Sequence, residues 1–125
     1  MTIVDSDILI DFLNGKAPKK VEDALARGTL STTSITAYEL RRGARAEKSL
    51  DAVEQLLAQM AEIVSFDDAA AAEAAVVYRE FGHSSQVIGK ADLYIAGICI
   101  ASDAPLLTRN TREYSRVPRL EIAKV

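Results

Sequence analysis

A chain of 125 residues with 49% hydrophobic and 26% charged side chains has the size and balance of one ordinary globular domain, 1–125, and is too apolar to be a disordered segment. One cysteine and one histidine exclude an internal disulfide and a Cys/His metal motif, so any metal must sit on oxygen ligands, which points to Mg²⁺ or Mn²⁺. The net charge of −3 neither advertises nor excludes nucleic acid, and with no apolar run of membrane-spanning length and no basic, apolar start, a cytoplasmic protein without a membrane is expected.

In chain order, Thr2 to Val4 is a short apolar strand, and Asp5-Ser6-Asp7 leads at once into a helix to Leu13 through Ile8, Leu9 and Phe12. Asn14-Gly15 stops it. Ala17-Pro18 opens a second helix, striped by Val21, Ala24 and Leu25 and closed by Gly28. Leu30 to Thr33 reads as the second strand, and a long helical stretch follows from Ser34. Val53, Leu56, Leu57 and Met60 repeat at helical spacing within a helix from Leu50 to Met60. Ile63 to Phe66 is the third strand, and Asp67-Asp68 caps a helix that runs to Phe81. Gly82 to Gln86 is the most loop-like segment and contains the lone His83, which has no nucleophile in a recognisable frame. Gly89-Lys90-Ala91-Asp92 then opens a helix apolar nearly all round, with Cys99 packed as a small hydrophobe, so this helix should be central. Pro105 to Thr108 is strand four, Arg109 to Tyr114 a turn or single helical turn, and Leu120 to Ile122 a last strand. Alternating strands and helices predict an α/β fold of three α/β/α layers around a parallel sheet.

In such folds ligands bind outside the carboxyl ends of the strands. Asp5 follows strand one, Glu39 lies in the helix after strand two, Asp92 in the first turn of the buried helix, and Asn110 after strand four. Each also has a structural reading. Asp5 is a favoured helix cap, Thr36-x-x-Glu39 and Asn110-x-x-Glu113 match capping boxes, and Asp92 suits a helix dipole. Caps give no reason for acidic groups from distant segments to gather on one rim. Carboxylates so gathered repel unless a cation holds them. Three carboxylates and an amide oxygen suit one or two divalent ions, and their chemistry is phosphodiester hydrolysis, with Ser6 and Thr108 placed to orient the ligands by hydrogen bonds.

Val4 to Ile10, Ser34 to Leu40 with Gly43, Ile88 to Ala96 and Leu107 to Tyr114 resemble the successive motifs of PIN-domain ribonucleases, most nearly the VapC toxin branch of toxin–antitoxin pairs. The resemblance spans nearly the whole chain, and its motifs are specific jointly rather than singly. It implies a Mg²⁺- or Mn²⁺-dependent endoribonuclease, a homodimer, and a VapB-type antitoxin that covers the site. Carried over, Asp5, Glu39 and Asp92 are the acidic metal-site residues, and Asn110 completes the catalytic set at a position acidic in some members. Asp7 stands where the family commonly has Asn, so it either joins the site or tunes it, while Asn110 removes a charge.

The basic residues fall largely into two groups, Arg41, Arg42, Arg45, Lys48 and Arg109, Arg112, Arg116, Arg119. Arg42, Lys90, Arg109 and Arg112 are the expected RNA-phosphate contacts, with structural salt bridges or a solvated face as the other reading. Leu9, Phe12 and Leu13 are expected to line an apolar groove for the antitoxin. Two rivals are a haloacid-dehalogenase-like phosphotransferase using Asp5 and Asp7, which leaves Glu39 without a role, and a catalytically silent domain binding RNA or protein.

Overall fold

A computed structural model of the protein describes residues 1–81 and 88–124. The expected loop around His83 lies outside the described residues. Along the chain run β1 (Thr2–Val4), α1 (Ser6–Leu13), α2 (Lys19–Ala26), β2 (Leu30–Thr33), α3 (Ser34–Gly43) and α4 (Glu47–Ala58). They are followed by β3 (Ile63–Val64), α5 (Asp68–Phe81), α6 (Lys90–Ala101), β4 (Leu106–Leu107) and α7 (Thr111–Tyr114).

The four strands form one parallel sheet in the order β3-β2-β1-β4. Ile3 pairs with Ser31 on one side and with Leu106 on the other, which makes β1 central. Strand side chains alternate between faces, and the two layers follow from that alternation. Ile3 and Leu106 point into a core with Ala70 and Val77 of α5, Ile95 and Ile98 of α6, Tyr114 and Val117. Val4 and Leu107 point into a second core with Ile8 and Leu9 of α1, Val21 and Leu25 of α2, Leu40 of α3 and Leu56 of α4. Helices therefore cover both faces, as the three-layer reading requires.

Helix α6 is buried from Ile95 to Cys99, the central place its all-round apolarity predicts. Burial pushes the Cys99 thiol up to about 12, so it stays protonated and packs as a hydrophobe. Gly97 makes the close approach to α5 possible: a Cβ there would stand 2.5 Å from the Ala70 carbonyl oxygen and 2.9 Å from Ala74 Cβ.

Several expectations are corrected. The last strand is a single parallel bridge between Leu106 and Ile122, because the chain leaves the sheet edge at once. Strand three stops at Val64: the Phe66 N–H turns to the Ser34 hydroxyl at 3.2 Å instead of extending the ladder. Helix α4 begins at Glu47 rather than Leu50 and ends at Ala58. The cap of α3 is Thr33, whose hydroxyl accepts the Thr36 N–H at 3.0 Å, so Thr36 and Glu39 form no capping box. Asn110 makes no capping hydrogen bond to α7 either, because its amide is turned toward carboxylates. Asp67 does cap α5, accepting the Ala70 N–H at 3.0 Å.

Candidate active site

The strand order reverses between β1 and β4, and the crevice beyond the carboxyl ends of strands at such a point is where α/β sheets bind ligands. Asp5 leaves β1 there and Thr108 leaves β4. The Asp5 backbone N–H donates to the Leu107 carbonyl at 2.9 Å, so the residue is fixed to both strands. Its side chain is only 5% exposed. Oδ1 accepts the Ser6 N–H at 2.8 Å, which caps α1, and Oδ2 accepts the Thr108 hydroxyl at 2.8 Å. The capping and functional readings of Asp5 are therefore compatible, since each uses a different oxygen.

Thr108 links several groups. Its Oγ1 also lies 3.3 Å from Asp7 Oδ2 and accepts the Asn110 N–H at 3.0 Å. A hydroxyl has one proton, and the shorter contact to Asp5 claims it. Asp7 Oδ2 keeps the Arg109 N–H at 3.0 Å, while Asp7 Oδ1 is buried without a hydrogen-bond partner. Asp7 thus stitches α1 to the loop after β4.

On the other side of the crevice Asp92, in the first turn of α6, receives Asn110 Nδ2 at 3.4 Å, and the same amide lies 3.3 Å from Glu113 Oε2. These are long contacts for charged acceptors. Tyr114 sits one helical turn beyond Asn110 and is fully buried; its Oη faces the Asp92 carboxylate without closing a well-formed hydrogen bond, and the Asp5 and Asp92 charges both act on it. Glu39 projects half-buried from α3, with the Ser6 hydroxyl and the Arg42 guanidinium favouring its charged form.

Burial pushes the Asp5 carboxyl up to about 6, with the Thr108 hydrogen bond opposing and the Asp7 and Asp92 charges adding to the rise. Burial and then the Asp92 charge raise Glu39. Burial raises Asp92, with the Tyr114 hydroxyl and the Asn110 amide opposing and the Glu113 and Asp7 charges adding to the rise. Asp92 is therefore felt by both Asp5 and Glu39. Among the described residues no three acidic, His or Cys side chains converge closely enough to enclose an ion as they stand. The donor set still fits a hard divalent cation. Every donor is oxygen, the carboxylates raise one another's pKa, and one buried carboxylate oxygen has no partner.

The expected basic contacts have different surroundings. Lys90 and Arg112 are exposed, while Arg42 lies over the Tyr38 ring, 5.4 Å from its centroid. Arg109 Nε is held by Asp11 Oδ2 at 3.2 Å, a partner the sequence reading missed. Elsewhere in the two basic groups, Arg41 pairs with Glu54 at 2.7 Å and Arg119 with Glu73 at 2.6 Å. Leu9 is fully buried in the core and cannot line a groove. The groove beside Glu39, about 400 Å³, is lined instead by Ile10, Leu13, Leu40 and Val53, and Phe12 packs against the core below α1. The other residue missed was Tyr114, although its spacing from Asn110 already placed both on one face of a turn.

Comparison with known proteins agrees with this geometry. The PIN domain family model matches residues 2–120. The chain is 30% identical over 115 residues to ribonuclease VapC1 of Methanocaldococcus jannaschii, covering 92% of this chain and 79% of the relative. It is 28% identical over 121 residues to the tRNA(fMet)-specific endonuclease VapC of Shigella flexneri, covering 92% of this chain and 90% of the relative. Among solved structures, DNA-bound VapBC from Salmonella typhimurium superposes with a TM-score of 0.87 at 25% identity over 98% of both chains.

Proposed function

The chain belongs to the PIN-domain family in its VapC ribonuclease branch, and on that premise we propose that it is a divalent-metal-dependent endoribonuclease and the toxin of a toxin–antitoxin pair. The observation that carries the metal-dependent reading is Asp5. A carboxyl buried at the strand-order reversal, pushed up to about 6 and repelled by Asp7 and Asp92, is costly to keep charged unless a cation offsets the repulsion. Asp5, Glu39 and Asp92 would hold Mg²⁺ or Mn²⁺, which when bound lowers the pKa of a water and stabilises charge on the phosphate.

The chain's own residues do the rest. Thr108 fixes the free rotation of Asp5 by donating to Oδ2 and lowers its pKa, keeping it available as an anion near neutral pH. Asn110 holds Asp92 without adding a negative charge to the rim. Lys90, Arg42 and Arg112 attract the RNA backbone, and Arg109, tied to Asp11, contributes charge from a fixed position. The apolar groove ending at Glu39 suits an apolar segment of a VapB-type antitoxin, which would cover the site while seated. A homodimer acting in the cytoplasm completes the proposal. Among the described residues no helix is long and apolar enough to cross a membrane. Family membership removes the phosphotransferase alternative, and Asp7 accepts the Arg109 backbone N–H that ties α1 to the loop after β4.

The test is cleavage of total cellular RNA by protein freed of any partner, with Mg²⁺, with Mn²⁺ and with EDTA. Discrete fragments that require a cation and vanish in folded Asp5→Ala, Glu39→Gln and Asp92→Asn variants are expected. Cleavage undiminished in all three would overturn the assignment.

A further inference from the structure

Among the described residues two buried side-chain polar atoms lack a hydrogen-bond partner, Asp7 Oδ1 and Tyr114 Oη, and both belong to the acidic crevice. Buried polar groups are almost always paired, so an orphan donor beside orphaned acceptor capacity points to a partner supplied in the working state. Tyr114 is 0% exposed. A phenylalanine would fill the same apolar space, so packing gives no reason for the hydroxyl. The groups around that hydroxyl are the carboxylates of Asp92 and Asp5 and the thiol of Cys99. The Asp5 oxygens already hold the Ser6 N–H and the Thr108 hydroxyl at 2.8 Å each. Asp92, by contrast, receives the long 3.4 Å contact from Asn110 Nδ2 and has the Tyr114 hydroxyl facing it. Asn110, the residue before α7, and Tyr114, its last residue, stand four apart, which brings both to one side of the turn.

We propose that Tyr114 is a positioning residue whose hydroxyl donates to the Asp92 carboxylate and, with the Asn110 amide, holds it in the orientation a divalent cation requires. Ligating carboxylates elsewhere depend on such outer hydrogen bonds for metal affinity. This inference rests on the metal-site reading of Asp5, Glu39 and Asp92.

The experiment is Mn²⁺ titration of the purified, EDTA-treated and dialysed full chain, followed by calorimetry or the electron-paramagnetic signal of the free ion. Wild type, Tyr114→Phe and Asp92→Asn are compared, with thermal unfolding recorded for each in EDTA. Tyr114→Phe should bind Mn²⁺ about 10- to 100-fold more weakly while melting in EDTA at or above the wild-type temperature, since it loses an unpaired buried hydroxyl. Asp92→Asn should bind more weakly still. Wild-type affinity in Tyr114→Phe, with Asp92→Asn impaired, would overturn the role of Tyr114 and leave the metal site standing. A Tyr114→Phe variant that melts well below wild type in EDTA would make the hydroxyl a structural anchor and also overturn it. Failure of the wild type itself to bind Mn²⁺ would overturn both readings.

Discussion

Replacing Asp5 by Asn should make the metal-free protein more stable at neutral pH, although the same change should abolish activity. The Asp5 carboxyl titrates at about 6 in the fold against 3.8 for an ordinary aspartate. A gap of about two pH units at 1.36 kcal/mol per unit corresponds to about 3 kcal/mol. The folded-state value is the higher one. Its stabilising contribution is therefore complete below 3.8, where Asp5 is protonated in both states, and is lost as pH rises through about 6. Above that, the native state carries a buried anion that the unfolded chain hydrates freely. Asparagine keeps the position neutral. Its carbonyl can accept the Ser6 N–H, and its amide can donate to Thr108 Oγ1, whose proton is then released toward Asp7 Oδ2 at 3.3 Å. The assay is urea unfolding of both proteins in EDTA between about pH 4 and about pH 8, comparing midpoints at equal slope. The stability difference should grow by about 3 kcal/mol across that range, and added Mn²⁺ should narrow it by stabilising only the wild type. A difference independent of pH, or one that shrinks as pH rises, would refute the reasoning.

Thr108→Val removes the donor that lowers the Asp5 pKa, so that value should rise above about 6 and Mn²⁺ binding near neutral pH should fall by about 10- to 100-fold, recovering as pH is raised; a pH-independent loss in the titration would contradict this. Gly97→Ala forces a methyl against the Ala70 carbonyl and Ala74, and should cost about 1–3 kcal/mol or more in urea unfolding by pushing α5 from α6. On the proposed reading, Arg42→Ala should weaken RNA binding across sequences and lower the salt-dependence slope by about 1. Arg41→Ala, which loses only an exposed pair with Glu54, should change neither binding nor stability measurably.

The sheet and the acidic rim were legible because each leaves a local mark. β1 and β2 are apolar or β-branched runs too short for helices, α6 is apolar on every side, and Asp5 stands at a strand–helix junction. The features that escaped depend on what the chain meets in space. Thr33 and Thr36 are equally good caps by residue type, and only the backbone turn at Thr33, whose φ is −111°, selects the first. Leu9 and Ile10 are equivalent in hydrophobicity, but the rotation of α1 against β1 buries Leu9 completely and leaves Ile10 on the groove. The Asp11–Arg109 pair spans almost the whole chain, and nothing within either segment announces the other. Tyr114 reads from the sequence as the end of a turn or single helical turn, and what its hydroxyl faces becomes visible only once the fold is known.

The crevice has a stiff half and an adjustable half, and the difference follows from where each is anchored. Asp5 is attached to β1, whose Ile3 and Val4 are fully buried in opposite layers, and its contacts to Ser6 and Thr108 are 2.8 Å each. Movement there would disturb both cores at once. On the other side Asp92 receives a 3.4 Å contact from the Asn110 amide, just before the four-residue α7, and that amide is shared with Glu113 at 3.3 Å. On the proposed metal-site reading, Asp5 would be held in place by the sheet beforehand, whereas Asp92 would depend on the Asn110 amide and the Tyr114 hydroxyl for its orientation. Gathering the carboxylates of Asp5, Asp7 and Asp92 in one crevice thus costs the fold stability chiefly at Asp5, the most deeply buried of the three and the one whose backbone is held by two cores.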